Sequence, residues 1–258
     1  MKKKKKKSNL TDVLRKIVLV LSIAVFLGCG GYLFMIYFPN DETPNMDINS
    51  DILFNDFENQ KIDFLQYVRE LKNENDDLFG FMSIKDTKIN YPVLLYKDND
   101  YYLTHNFYRK YDRHGALFLD AYTNTSISLN WLVYGHSMKD GTMFGGLHKF
   151  SKKAYYQKHS EIIFTTLDES AIYDIFAVVY TQVYDDNEHF RYHIYNNLNT
   201  ESDYNDYVKN MKKLSSYDTG ITPQFGDQLI TMSTCVDSSP TSKRRLVIVA
   251  RKRNQANS

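Results

Sequence analysis

Cysteine is nearly absent from this chain: its 258 residues carry two, Cys29 and Cys235. So few cysteines exclude a disulfide framework. The spacings that hold metals are missing too. No CxxC pair and no HExxH occurs, and "HFRYH" (His189 to His193) has histidines at i and i+4 without the glutamate or any accompanying ligand cluster. A metal site is therefore not expected. A strongly basic body is lacking as well. The formal net charge is +1, but Met1 to Phe38 holds eight basic residues (Lys2 to Lys7, Arg15, Lys16) against Asp12, which is +7 and leaves −6 for the rest. Positive charge confined to one terminal tail argues against a nucleic-acid partner. No internal repeat is present, and low complexity stops at the lysine run.

Charge is absent altogether from Ile17 to Phe38. As a helix, this stretch would reach about 33 Å against a hydrocarbon core of about 30 Å. Its exit, "YFPND", offers no small-x-small cleavage site, so an uncleaved anchor is expected in preference to a signal peptide. The lysines before it place the N-terminus in the cytoplasm. Four segments follow: a cytoplasmic basic tail over 1–16, a transmembrane anchor over 17–38, a polar linker over 39–50 and an extracellular domain over 51–258. Cys29 would then be an apolar filler in the anchor. Hydrophobic residues make up 43% and aromatics 15% of the chain, enough for one well-packed domain.

Within that domain, "KIDFLQYVRELKNEN" puts Ile62, Leu65, Val68 and Leu71 at helical spacing, predicting a helix with that stripe inward. The pattern then changes to short β-rich runs: "FGFMSI", "KINYPVLL", "GALFLD", "NWLVYGH", "EIIFTTL", "AIYDIFAVVYTQV", "QLITMST" and "RLVIVARK". Turn residues separate most of them, so eight strands are expected. Between the sixth and seventh, "TESDYNDYVKNMKKLSS" sets Tyr204, Tyr207, Val208 and Met211 in helical register behind a Thr/Ser/Asp start. The expected fold is mostly β, an eight-stranded barrel with peripheral helices.

Cys235 and His136 each close an apolar strand, where a side chain is fixed by the sheet yet open to a cleft. A thiol is mostly protonated at neutral pH, and a nearby cation favours the nucleophilic thiolate. Arg245 can supply permanent positive charge. Converging, the three would serve acyl transfer as nucleophile, general acid/base and oxyanion stabiliser. Spacing alone also admits a buried structural cysteine, a satisfied histidine and a solvated Lys-Arg-Arg loop. His105 and His114, in a loop rich in Tyr and Arg, read as structural.

"STC" followed at ten residues by Arg245 and then "LVIVA" resembles the signature of sortases, membrane-anchored cysteine transpeptidases of Gram-positive surfaces. "KINYPVLLYKDNDYYLTHNF", "HGALFLD", "NWLVYGHSMKDGTMFGGLHKF" and the helix inserted before the cysteine strand are similar to class B sortases in order and spacing. The resemblance covers most of Leu78 to Lys252 and implies a sortase-type barrel. It assigns the nucleophile to Cys235, the acid/base to His136, the transition-state arginine to Arg245 and substrate contact to Ser233 and Thr234. Met232, where many members have leucine, conserves volume. Of the adjacent pair Arg244 and Arg245, strand alternation lets only one face the cleft. The implied reaction cleaves an NPxTN or S/NPxTG sorting motif after Thr and joins surface proteins to a cell-wall amine, peptidoglycan or its lipid-linked precursor. It needs no cofactor. The alternatives are a non-catalytic surface peptide-binding module and an exported papain-like cysteine hydrolase.

Overall fold

The computed structural model describes residues 10–37, 64–237 and 242–254. Chain contacts divide it into two units, Met1–Glu42 and Thr43–Ser258. In the first, Leu10–Tyr37 forms a single helix, α1. Its described apolar side chains, among them Val18, Leu21 and Phe26, are exposed. Among the described residues no helix is long and apolar enough to cross a membrane. The spanning segment expected over 17–38 thus finds no support in them. The linker 39–50 lies outside the described residues.

The second unit opens with α2, Phe64–Glu74. Its inward stripe is one residue out from the expectation at the start. Phe64, Val68 and Leu71 are buried and Leu65 only half so, while Ile62 lies outside the described residues. Phe64 replaces Leu65 because its ring meets Phe81 edge-on, with centroids 5.3 Å apart. Aromatic pairs of that geometry add about 0.5–1.5 kcal/mol beyond burial.

All eight expected strands form: β1 (Leu78–Ser83), β2 (Asn90–Leu94), β3 (Leu117–Leu119), β4 (Asn130–Tyr134), β5 (Glu161–Thr166), β6 (Ser170–Gln182), β7 (Leu229–Cys235) and β8 (Arg244–Lys252). They close into a barrel in the order β1-β2-β3-β4-β7-β8-β6-β5. Two neighbouring pairs, β2 with β3 and β4 with β7, run parallel. Parallel neighbours need long crossovers. The first is filled by the 3-10 turn Tyr101–Leu103. The second contains the 3-10 turns Gly145–Ser151 and Tyr192–Ile194, the short helix α3 (Lys153–Tyr156) and the long helix α4 (Glu201–Leu214), besides β5 and β6.

Alternation sorts the strand residues into two sets. From β7 and β8, Ile230, Met232, Leu246, Ile248 and Ala250 fill the barrel interior with Val93, Val133 and Phe164. Leu229, Val247 and Val249 face outward, where Leu132, Phe176 and α4 cover them. α4 carries the predicted apolar face, Tyr204, Tyr207, Val208 and Met211. Its start is capped by Thr200, whose Oγ1 accepts from Asp203 N at 3.2 Å. Glu201 and Asp203 in the first turn and Lys212 and Lys213 in the last complement the helix dipole.

Candidate active site

Register brings the three predicted residues together. β7 and β8 are antiparallel with Cys235 directly opposite Arg245. On the other side of β7, β4 is parallel and pairs Tyr134 with Ser233. Gly135 N extends that ladder to Ser233 O at 3.3 Å. His136 lies two residues beyond Tyr134, and Cys235 two beyond Ser233. Both therefore leave the same end of neighbouring strands on the same face, with Arg245 on the next strand over. Adjacent strands stand roughly 4.8 Å apart, so Cys235 and Arg245 are cross-strand neighbours, and His136 follows the end of β4 that adjoins the Cys235 end of β7.

The face is the outer one. Cys235 shares parity with Thr231 and Ser233, and Arg245 with Val247 and Val249, all on the side of Tyr192 and α4. Cys235 is a free thiol of intermediate exposure, open to a ligand but held by the sheet. Arg245 is half-buried, and its Nη1 donates to the carbonyls of Ser242 (2.8 Å) and Arg244 (3.0 Å). Among the described residues no carboxylate ion-pairs with it, so its charge is not neutralised by a partner acid. Arg244, by contrast, points to solvent, 64% exposed, with Asp237 at 3.7 Å. It has interior parity but sits past the end of the packed barrel.

His136 is fixed from three sides. Its carbonyl accepts from Phe144 N at 2.9 Å. Thr234 Oγ1 donates to the Gly135 carbonyl at 2.8 Å, tying the segment to the residue before Cys235. Its Nε2 lies 2.8 Å from the Leu103 carbonyl. A carbonyl only accepts, so Nε2 carries the proton and a neutral ring keeps its lone pair on Nδ1. Gly135 is required by space. A Cβ there would come within 2.4 Å of Leu117 Cδ2 and 2.8 Å of Phe144 Cδ2, so a larger residue would push His136 off its strand.

Ser233 and Thr234, expected to touch substrate, are each 2% exposed. Ser233 Oγ is 2.8 Å from Tyr192 Oη, and the Thr234 hydroxyl is committed to Gly135. Ser233 braces the strand end from the outer face and Thr234 from the barrel side. His105 stacks on Tyr101 at 4.1 Å, and buried His114 hydrogen-bonds Asp112 at 3.0 Å, both as structural residues.

Two tyrosines and one aspartate complete the surroundings, and none was singled out from sequence. Burial pushes the Tyr192 phenol up first; the Arg245 charge pulls it down and a Cys235 thiolate would push it up, so this ring lies within reach of both. Burial likewise raises Tyr134, with the Asp120 carboxylate adding and Arg245 opposing. Asp120 is 4% exposed and accepts from Tyr134 Oη (3.1 Å), Asn99 Nδ2 (3.1 Å), Asn196 Nδ2 (2.8 Å) and Tyr122 N (3.0 Å). Four donors satisfy a buried carboxylate without a counter-ion. Asp120 carried a sequence signal as the polar residue ending "GALFLD". Tyr192 carried none, being one of 21 tyrosines.

This arrangement agrees with the relatives of the chain. A sortase-domain family profile matches residues 82–253. The Sortase B of Listeria monocytogenes is 36% identical over 182 residues, 70% of this chain and 72% of that protein. That of Staphylococcus aureus is 29% identical over the same length. A solved structure of a Staphylococcus aureus sortase B–substrate complex superposes with a TM-score of 0.67 at 26% identity, covering 81% of this chain and 94% of that one. A barrel of the same closure, a thiol and a guanidinium facing each other across β7 and β8, and a profile that runs from the end of β1 to just past β8 lead to one conclusion: this chain belongs to the sortase family, in its class B branch, and is a cysteine transpeptidase by type.

Proposed function

We propose that the protein cleaves a sorting motif of the NPxTN or S/NPxTG kind after its Thr and transfers the acyl group to a cell-wall amine. The observation that carries this reading is the pairing of Cys235 with Arg245 across β7 and β8, with His136 just past the adjoining end of β4. Cys235 passes its thiol proton to His136 Nδ1 and attacks the Thr carbonyl carbon as the thiolate, and the developing oxyanion is met by the Arg245 guanidinium, which has no acid partner among the described residues. The C–N bond breaks as His136 gives its proton to the departing amine, leaving a thioester on Cys235. An acceptor amine attacks that thioester, His136 takes the amine's proton, and Cys235 leaves as the thiolate. Every proton is accounted for by the one imidazole. Nδ1 is the nitrogen that exchanges it, because Nε2 is held by Leu103.

Peptidoglycan or its lipid-linked precursor is the acceptor we favour, with surface proteins as donors. Location of the domain outside the cytoplasm is proposed from the sequence of Met1 to Phe38 alone, the lysine tail followed by an uncharged run. Product analysis with a small library of sorting-motif peptides tests the reading. With an added amine, such as triglycine, a new amide at the Thr carboxyl is expected. Free acid alone, in the same yield with and without amine, would make the protein a hydrolase. Binding without any cleavage would make it a peptide-binding module.

A further inference from the structure

We infer that Asp98 is a positioning residue for His136, acting through the turn Tyr101–Leu103; the inference rests on the acid/base reading of His136 given above. The link between them is short. His136 Nε2 is held at 2.8 Å by the Leu103 carbonyl, which lies at the C-terminal end of a three-residue 3-10 turn. Carbonyls at that end of a helical turn have no partner within the turn and are free to accept from elsewhere. A turn this short does not hold itself: it fixes several dihedrals for one or two hydrogen bonds. Here those bonds are Leu103 N to Asp100 O (3.1 Å) and Thr104 N to Tyr101 O (3.2 Å).

Asp98 supplies what the turn lacks. Its Oδ1 accepts from Asp100 N at 3.0 Å and Tyr101 N at 2.8 Å, closing an Asx-turn over the N-terminal end. The same two donors hold its carboxyl below the usual carboxylate range. No lysine, arginine or histidine among the described residues forms an ion pair with it. Its two bonds are to backbone N–H groups of the turn, so its work is local geometry. The next residue, Asn99, fastens the turn sideways: its Oδ1 accepts from Ala121 N (2.8 Å) and its Nδ2 donates to Asp120. From behind, Gly115 takes φ +60°, and a Cβ there would sit 2.3 Å from Tyr102 O and 2.9 Å from Leu103 O. The turn is thus wedged against backbone on one side and held by Asp98 at its start. Remove the carboxylate oxygen and the Leu103 carbonyl is released to drift, and with it the proton on Nε2.

The test uses the full-length chain in detergent, labelled with 15N-histidine, with the His136 signals identified as those missing from His136→Gln. Long-range 1H–15N correlation above neutral pH reads the tautomer. The unaltered protein should carry its proton on Nε2. Asp98→Ala should move the ring toward a mixture of tautomers and lower kcat for peptide cleavage by on the order of 10- to 100-fold, with little change in KM, as expected when a reacting group is misplaced. Asp98→Asn should restore both, because an amide oxygen can accept the same two bonds. An unchanged tautomer and kcat in Asp98→Ala would overturn the inference, as would Asp98→Asn behaving like Asp98→Ala in both readouts. If no variant, nor the unaltered protein, cleaves any peptide, the proposed function fails, while the tautomer still reports whether Asp98 sets the ring.

Discussion

At the scale of single residues, the adjacent arginines separate charge from position. Arg245 stands opposite Cys235 on the face that Tyr192 and Tyr134 share, whereas Arg244 lies in solvent near Asp237. An exposed pair of that kind contributes about 0–1 kcal/mol to stability and nothing to an oxyanion. Arg244→Ala should therefore leave kcat/KM within a factor of two or so, while Arg245→Ala should lose on the order of 10²–10³ in turnover. Arg245→Lys should recover part of it, since an ammonium keeps the charge without the planar fork. Steady-state kinetics of the three variants on one peptide checks this; a severe loss confined to Arg244→Ala would place the catalytic charge on the wrong side of the strand. Period-two alternation sets the two arginines on opposite faces; the assignment of the cleft to Arg245 comes from the resemblance. For Ser233 and Thr234 the resemblance implies substrate contact, while their side chains are each 2% exposed and hydrogen-bonded within the protein. Residues flanking a strand-end nucleophile in fact divide between the barrel interior and a buried contact with Tyr192.

Among the elements, α4 does more than cover the sheet. Tyr207 is fully buried, and its hydroxyl lies 2.5 Å from Thr231 Oγ1, which itself donates to Asn130 Oδ1 at 2.7 Å. Thr231 has one hydrogen, so Tyr207 is the donor in the first bond. The chain joins α4 to β7, which carries Cys235, and to β4, whose C-terminal end leads into His136. Tyr207→Phe should cost about 1 kcal/mol, the net worth of one hydrogen bond. Tyr207→Ala should cost about 3–5 kcal/mol from the cavity left behind. Urea unfolding of both variants gives the comparison, and a Tyr207→Phe variant as stable as the unaltered protein would mean that packing alone, not the hydroxyl chain, anchors the helix. α4 was readable residue for residue because its apolar spacing and its Thr200 cap are both local signals. α2 was read one position off, since Leu65 and Phe64 are equally apolar and only the edge contact with Phe81 decides which turns inward. The turn Tyr101–Leu103 was invisible for the opposite reason: "KDNDYYL" announces a bend, but which carbonyl ends it, and that His136 meets that carbonyl, depends on a partner 33 residues away.

For the molecule as a whole, barrel closure turns a sequence pattern into a site. The eight strands could be counted from the chain; their order could not. The parallel pairing of β4 with β7 across nearly a hundred residues is what sets His136 beside Cys235. No local periodicity encodes a pairing of that range. The family resemblance carried the information that propensities lack. Membrane attachment stands apart from the barrel, because no helix among the described residues is long and apolar enough to cross a bilayer. Cell fractionation with protease added to intact cells addresses it. The sequence of Met1 to Phe38 predicts full-length chain in the membrane fraction with its domain digestible from outside, whereas intact chain in the cytosol would refute that placement. The central claim, that Cys235 carries an acyl group between two substrates, is tested most directly by intact-protein mass spectrometry during turnover. Mixed with a sorting-motif peptide and quenched in acid, the protein should gain the mass of the peptide's N-terminal fragment through Thr, as a thioester localised to Cys235. That adduct should be absent from Cys235→Ala and should disappear on addition of an amine, with the matching amide formed. No adduct while the peptide is being cleaved, or an adduct that persists in Cys235→Ala, would contradict it.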